Sequence, residues 1–188
     1  MDHPIQFVAT EDLNRNRLTS FFRIILAIPH LIWLAIWGIA AGIAVFISWF
    51  ATLFAGQTPQ ALHDFIAQYM RYSSHVGGYI TFLADPYPKF LGDTPYDADL
   101  AVAPPAPQNR WKTGFRGILA IPALIAATVL GYVLEVIAFI SWICILFTGR
   151  IPQGLRDITL YIMRFNLQTH SYLSFLTDRY PDFSPTPR

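Results

Sequence analysis

The chain repeats itself once, at an offset of 93 residues and without a gap. From Arg17 to Phe90, 31 of 74 positions are identical to the residue 93 places later. The identical positions include charged residues and prolines, such as Arg23 with Arg116 and Pro59 with Pro152. Two unrelated apolar helices would share only apolar residues by chance, so the shared charged residues and prolines indicate a tandem duplication. Any fold must therefore be built from two copies of one unit.

Each copy contains one long apolar run, at about 24–55 and 117–148. The first run has no charged residue and the second has one, Glu135. Both exceed the length of about 18 residues that indicates a candidate membrane helix. Only 13% of the residues are charged, against about a quarter in an ordinary globular domain. These features predict an all-α integral membrane protein made of two tandem repeats.

A second helix is predicted after each apolar run. Gly56 and Gly149 suit the left-handed position that ends a helix, and Pro59 and Pro152 suit the first turn of the next one. The segments at about 59–84 and 152–177 have apolar residues at helical spacing with polar residues opposite. We expect two amphipathic helices at the membrane interface.

Each repeat also begins with a short segment that resembles a strand. Pro4–Ala9 aligns with Asp97–Val102 at the same offset, so the two strands could pair in a small ribbon outside the membrane. The segment 93–109, which contains the second strand, is otherwise rich in proline and is predicted to be a linker. Repeat 1 is then residues 1–92 and the helical part of repeat 2 is residues 110–188.

The path of each apolar run has three alternatives. One straight helix of 31 residues would be about 46 Å long, more than the hydrocarbon thickness of about 30 Å. A hairpin would turn at Gly38–Gly42 and at Gly131–Glu135, and a third path would break at Pro29 and Pro122. Basic residues precede both runs, which gives both copies the same orientation with a cytoplasmic N-terminus. This favours the hairpin, although Gly38 and Gly42 also fit a G-x-x-x-G helix-packing pattern.

The candidate polar sites are few. Glu135 is either an ion or proton site or a turn residue that reaches the headgroups. Two acid and base pairs recur in the copies and could form a polar seam, bind lipid phosphate or lie on a solvated helix face. His63 and His75 are the candidates for an interfacial lipid-modifying enzyme, and His30 could bind a carbonyl group that Pro29 leaves free. The recurring pairs are Asp64 with Arg71 and Asp157 with Arg164.

Other classes of function have little support. The net charge of +1 gives no electrostatic footprint for nucleic acid, and one cysteine excludes an internal disulfide. No metal-ligand spacing occurs among the five histidines, and no known catalytic signature is present. We therefore expect no cofactor, no metal and no enzymatic activity.

The chain resembles a bacterial membrane-protein family known only as domain of unknown function 4389. The resemblance rests on Arg17-Leu18 to Phe22-Arg23, Leu26–His30, Ser48–Phe50, Leu53-Phe54, Gly56-x-x-Pro59-x-x-Leu62-x-Asp64 and Leu176–Pro181. Repeat 1 departs from the pattern at Asp85-Pro86. Tandem copies are common in this family, and the resemblance implies a protein of the bacterial cytoplasmic membrane. It carries over no catalytic residue.

Together these observations predict a membrane scaffold or an accessory subunit. Its partners would be membrane lipids, a second copy of the chain or a larger membrane complex. The alternative is an oligomeric channel or transport protein in which Glu135, Arg71 and Arg164 line a path.

Overall fold

A computed structural model describes residues 3–183. The described chain is mostly helical and contains two repeated units. Its elements, in order, are β1 (Ile5–Ala9), α1 (Arg17–Ala55), α2 (Gln60–Ile80), β2 (Ala98–Val102), α3 (Arg110–Leu119), α4 (Ile121–Thr148) and α5 (Gln153–Leu173).

Helix α1 is continuous, so the hairpin prediction is wrong. The Asn16 side chain caps its first turn, and Gly56 ends the helix with φ of 78°. Gly38 and Gly42 lie within the helix instead of at a turn. A helix satisfies every backbone group of an apolar segment, whereas a turn would leave several without partners. Two helical glycines cost only about 1 kcal/mol each, so the helix is the cheaper solution.

The second copy is interrupted once, at Ala120 between α3 and α4. Pro122 stands in the first turn of α4, where its missing N–H is tolerated. The alternative path with a break at proline therefore describes repeat 2 but not repeat 1, where Pro29 lies inside α1. The predicted turn at Gly131–Glu135 is also wrong, because both residues lie inside α4.

Helices α2 and α5 are confirmed but end earlier than predicted. Pro59 and Pro152 occupy the N-cap positions, one residue before the first turn. The C-terminal ends fall at Ile80 and Leu173, just before Phe82 and Phe175, which have left-handed φ angles of 65° and 61°. A residue with positive φ cannot continue a right-handed helix.

The two predicted strands pair, and their register reveals a pseudo-twofold axis. β1 and β2 are antiparallel, and Phe7 lies opposite Leu100. These two residues are equivalent in the duplication, because they are 93 positions apart. The ribbon is therefore centred on an axis that relates repeat 1 to repeat 2.

The same axis makes α1 antiparallel to α3 and α4. The Arg15 N–H donates to the Gly149 carbonyl at 2.9 Å, which joins the start of α1 to the end of α4. At the other end, the Gln108 N–H donates to the Gly56 carbonyl at 2.8 Å. Both long helices therefore meet at their two ends.

The elements form three layers. α2 packs between α1 and β2, and α5 packs between α4 and β1. The core in the middle includes Phe7, Ile66, Met70, Leu100 and Met163. The predicted interfacial helices are therefore a central layer, because their apolar stripes are covered by the long helices and by the ribbon.

Candidate functional site

Helix α1 hides small and polar side chains and exposes large apolar ones. Its buried positions are spaced by three, four or eleven residues, which are all helical repeats, so they form one stripe along the side that packs on α2. α4 turns a similar buried stripe toward α5, in which Ile137 and Ile145 accompany small residues. Among the buried residues of α1 are Ser20, Ala27, Ala41, Ala44, Ser48 and Thr52. Small residues let the backbones of packed helices approach closely.

The outer side of the long helices is apolar along most of its length, and Glu135 is an exposed carboxylate on a flank of α4. Exposed apolar side chains run from Leu18 to Phe54 in α1 and from Trp111 to Phe147 in α3 and α4. We call this surface the apolar face. Only 17% of the most apolar window of each long helix is buried, whereas a core helix of a soluble protein is mostly buried. By length and composition, α1 and α4 are each able to cross a membrane.

Exposed basic side chains stand at both ends of the apolar face. Nε of Arg17 lies 3.3 Å from the position that a Cβ atom would occupy if Gly149 had one. In the same way, Nε of Arg110 lies 3.5 Å from the Cβ position of Gly56. Each guanidinium therefore lies at the C-terminus of the antiparallel long helix, where the helix dipole favours a positive charge. The exposed bases at these ends are Arg17, Arg110, Lys112 and Arg150.

Arg23 of α1 is buried in a socket formed by the end of α2. Its guanidinium donates to the carbonyls of Tyr79 and Ala84 at 2.8 and 3.0 Å and to the carboxylate of Asp85 at 2.7 Å. The rings of Tyr79 and Phe82 lie 4.5 and 4.6 Å from the guanidinium carbon. The charge is thus neutralised and stacked inside the protein.

Repeat 2 contains the same socket around Arg116. The guanidinium donates to the carbonyls of Tyr172 and Thr177 and to Asp178, at 2.8 to 3.2 Å. The rings of Tyr172 and Phe175 lie at 4.6 and 4.7 Å. All five residues are shifted by 93 from those of repeat 1. The socket is therefore part of the duplicated unit.

A positive φ at Phe82 and Phe175 shapes each socket. A non-glycine residue in this conformation is strained, and the position after a helix is normally taken by glycine. Here each phenylalanine places its ring on the arginine. The carbonyl of Phe82 accepts from Nε of Arg15 at 2.9 Å, and the carbonyl of Phe175 accepts from Nε2 of Gln108 at 2.7 Å.

A polar cluster joins α2 to the ribbon. Arg71 binds the Asp99 carboxylate in a bidentate manner at 2.6 and 2.7 Å, and Nε2 of His75 lies 2.8 Å from the same carboxylate. Burial raises the pKa of Asp99, but the bonds from Arg71 and His75 outweigh it and leave the pKa below its ordinary value. Burial lowers the pKa of His75 despite the attraction of Asp99. His75 therefore donates to Asp99 as a neutral ring.

An open cavity of about 490 Å³ lies beside this cluster. It is lined by Asp64, Gln68, Arg71, Asp93, Asp99 and residues 100–102 of β2, among others. Within residues 3–183, no group of three or more His, Cys, Asp and Glu residues could hold a metal ion. The Arg71 guanidinium is already engaged by Asp99, so the other charged groups of the lining are the carboxylates of Asp64 and Asp93.

One known family matches the chain twice, once in each repeat. A family described as a domain of unknown function, DUF4389, matches residues 17–92 and 110–184. The chain belongs to the DUF4389 family. The match confirms the resemblance and its two-copy form, and β1 and β2 lie outside both matched segments. No curated protein and no solved structure matches the chain.

Glu135 does not lie at a turn in the second DUF4389 unit. It is exposed in the middle of α4, and among the described residues nothing bonds to its carboxylate. Trp142 follows it by seven residues, on the same flank of α4, and stacks on Phe21 of α1 with ring centroids 6.4 Å apart. Glu135 therefore lies on the flank that faces α1.

The two acid and base pairs of the DUF4389 units do not form ion pairs within themselves. Asp64 accepts from the Gln60 side chain at 2.8 Å, and Asp157 accepts from Arg156 at 2.8 Å. Arg164 is half-buried, and in residues 3–183 it has no hydrogen bond or ion pair. The ribbon residue equivalent to Asp99 is Gln6, which explains why Arg164 lacks the partner that Arg71 has.

Gly38 allows a close helix contact, but within one chain. A Cβ on Gly38 would lie 3.0 Å from the hydroxyl of Tyr69, so glycine lets α2 approach α1. Gly42 and Gly131 have no atom within 4 Å of such a position. The packing interpretation therefore holds for Gly38 only.

Sequence reasoning missed three features of the DUF4389 units. It treated Arg23 and Arg116 as flanking charges, although their identity in both copies, together with Tyr79, Phe82 and Asp85, was a signal for a shared socket. It overlooked Asp99. His30 does not bind the carbonyl near Pro29, because its Nδ1 lies 2.6 Å from the hydroxyl of Tyr72.

Proposed function

We propose that this DUF4389 protein is a non-enzymatic protein of the bacterial cytoplasmic membrane that organises lipid or a larger membrane complex. The apolar face is the observation that supports the proposal. Soluble monomers rarely expose a contiguous apolar patch of more than a few hundred Å². Here the exposed apolar residues extend over two long helices, and the inner side of α1 carries mainly small and polar residues.

A scaffold role is supported by where the charged side chains are engaged. Arg23 and Arg116 are buried in sockets, and Asp99 is bound by two bases. These groups join elements of the fold to each other, which is the arrangement expected of a rigid framework. A catalytic acid or base would instead need a free position facing a substrate.

A vesicle flotation assay tests the membrane proposal. Ile36 and Ile43 are exposed on one side of α1, and Gln68 is exposed on α2. A charge in the middle of the hydrocarbon costs about 2.5–3.5 kcal/mol. We expect Ile36→Lys with Ile43→Lys to weaken flotation strongly, and the matched Gln68→Lys to leave it unchanged. Equal flotation of both variants would contradict the proposal.

Native mass spectrometry of the protein, extracted gently from its own membrane, tests the scaffold role. A stoichiometric foreign subunit would support an accessory protein. A homo-oligomer of fixed size with retained lipid would support a scaffold that acts alone. A lipid-free monomer without partners would contradict both forms of the proposal.

The alternative is an oligomeric channel or transport protein. Two observations favour it. Glu135 is exposed on the flank facing α1, and Arg164 has no ion-pair partner in the part of the chain that the structure describes. Ion flux through purified protein in vesicles is the decisive measurement. A selective flux that is lost in Glu135→Gln would support the channel and overturn the scaffold proposal.

A further inference from the structure

We propose that both long helices lie parallel to the membrane plane within a single leaflet, with the pseudo-twofold axis along the membrane normal. The ribbon would then face water, and α2 and α5 would lie between the ribbon and the lipid. This inference rests on the membrane proposal above and names the partner of the apolar face as one leaflet of a bilayer.

The length of the apolar face is the first argument. From Leu18 to Phe54 the exposed apolar side chains of α1 cover 36 residue steps, or about 54 Å. A hydrocarbon core is about 30 Å thick. A perpendicular helix would therefore leave about 24 Å of apolar surface in water, whereas a helix in the plane keeps all of it in lipid.

The position of the polar groups is the second argument. Gly38 lies near the middle of α1, and its closest neighbour on α2 is Tyr69. Gln68 and Arg71 flank that contact, and the Arg71–Asp99 ion pair and the open cavity lie beside it. A spanning orientation would place these groups at the centre of the bilayer, where charged side chains are costly. In the in-plane orientation they face the water.

The distribution of charge is the third argument. Exposed bases stand at the ends of the apolar face, and the exposed acids Asp64, Asp93 and Asp97 lie in the other layers, whereas Glu135 is an exposed acid on the flank of α4. Lys89 is exposed in the loop whose Phe90 carbonyl accepts from Trp33 of α1 at 3.0 Å. Bases and aromatic rings beside the apolar face match anionic headgroups and the membrane interface.

Spin-label depth measurement tests the orientation with the full chain in vesicles. Ile25, Ile36 and Ile47 are 61%, 56% and 48% exposed, and their spacing of 11 residues puts them on one side of α1. Each is changed to Cys in a Cys144→Ser background and carries a nitroxide. Relaxation by oxygen and by a water-soluble nickel complex then reports the depth of each label.

We expect the three labels to lie at equal depth, about 5–10 Å below the headgroups. Ile25 and Ile47 are about 33 Å apart along α1. In a spanning helix they would lie at opposite interfaces, with the Ile36 label about 15 Å deeper. That profile would overturn the in-plane inference and leave the membrane proposal intact. If none of the labels is protected from the nickel complex, the membrane proposal itself fails.

The duplication supplies an independent second set. Ile118, Val129 and Ile140 are the equivalent residues of repeat 2, and all are exposed. They should give the same flat profile, because the pseudo-twofold axis places α3 and α4 at the same depth as α1. A flat profile in one repeat with a graded profile in the other would also overturn the inference.

Discussion

Removing the buried guanidinium of Arg23 should destabilise the protein by about 3 kcal/mol. Arg23→Ala leaves the carbonyls of Tyr79 and Ala84 without their donor and Asp85 without its ion-pair partner. Loss of one member of a buried pair costs about 3–5 kcal/mol. The side chain of Asp85 is 32% exposed, so water compensates in part and the lower end of the range applies.

The assay is an unfolding titration in detergent micelles, followed by tryptophan fluorescence. Arg23→Lys keeps the charge but not the planar fork, so it should retain only part of the stability. Arg116→Ala should cost a similar amount, because repeat 2 has an equivalent socket. Arg17→Ala is the matched control at an exposed position and should change the free energy of unfolding by no more than about 1 kcal/mol, the contribution of its charge at the end of α4.

Two results would refute this reasoning. An Arg23→Ala variant as stable as the Arg17→Ala control would mean that the socket does not hold α1 to the end of α2. A large loss at Arg23 with none at Arg116 would mean that the two sockets are not energetically equivalent, despite their matching geometry.

Three further predictions concern positions where the two repeats can be compared. Phe82→Gly should be about 1 kcal/mol more stable than Phe82→Ala in the same titration. Both variants lose the ring, but only glycine adopts a positive φ without strain. If Phe82→Ala is the more stable variant, the backbone is not strained at this position. The pKa of His75 is lower in the folded protein than in the unfolded chain. As the pH falls below about 6.5, the unfolded chain therefore takes up a proton before the folded protein does, and the protein loses stability. His75→Gln introduces the residue that repeat 2 has at the equivalent position, Gln168. It should make the melting temperature depend less on pH between pH 7 and pH 5, and an unchanged pH dependence would show that His75 does not contribute to it. Arg71→Leu should destabilise the protein by about 1–2 kcal/mol, because Asp99 loses its bidentate ion pair and keeps the hydrogen bond to His75. Arg164→Leu should be neutral or stabilising, and equal losses would show that Arg164 has a partner.

The backbone plan could be predicted from the sequence because it depends on local signals. The helix ends at Gly56 and Gly149 require a left-handed residue, and both have φ angles near 75°. The strands Ile5–Ala9 and Ala98–Val102 followed from the same offset that aligns the helices, and their pairing was anticipated.

The path of the apolar runs was not predictable from the same kind of signal. Length alone left the hairpin open, because Gly38–Gly42 is equally compatible with a turn and with a helix interior. The choice between a turn and a continuous helix depends on α2, which packs along α1. At Gly38 the backbone of α1 comes close to α2. Burial of Arg23 was missed for a similar reason, since its partners are 56 to 62 residues away in the chain.

The duplication and the in-plane orientation support each other. Basic residues before both apolar runs indicated that the two copies have the same orientation relative to the membrane. Because the long helices of the two copies are antiparallel, a spanning arrangement would put Arg17 and Arg110 on opposite sides. An arrangement in one leaflet puts both ends of both helices on the same side and agrees with the charge pattern. A twofold axis along the membrane normal then satisfies the ribbon register, the antiparallel helices and the distribution of bases at once, which is why the depth profile of α1 is the measurement that discriminates best.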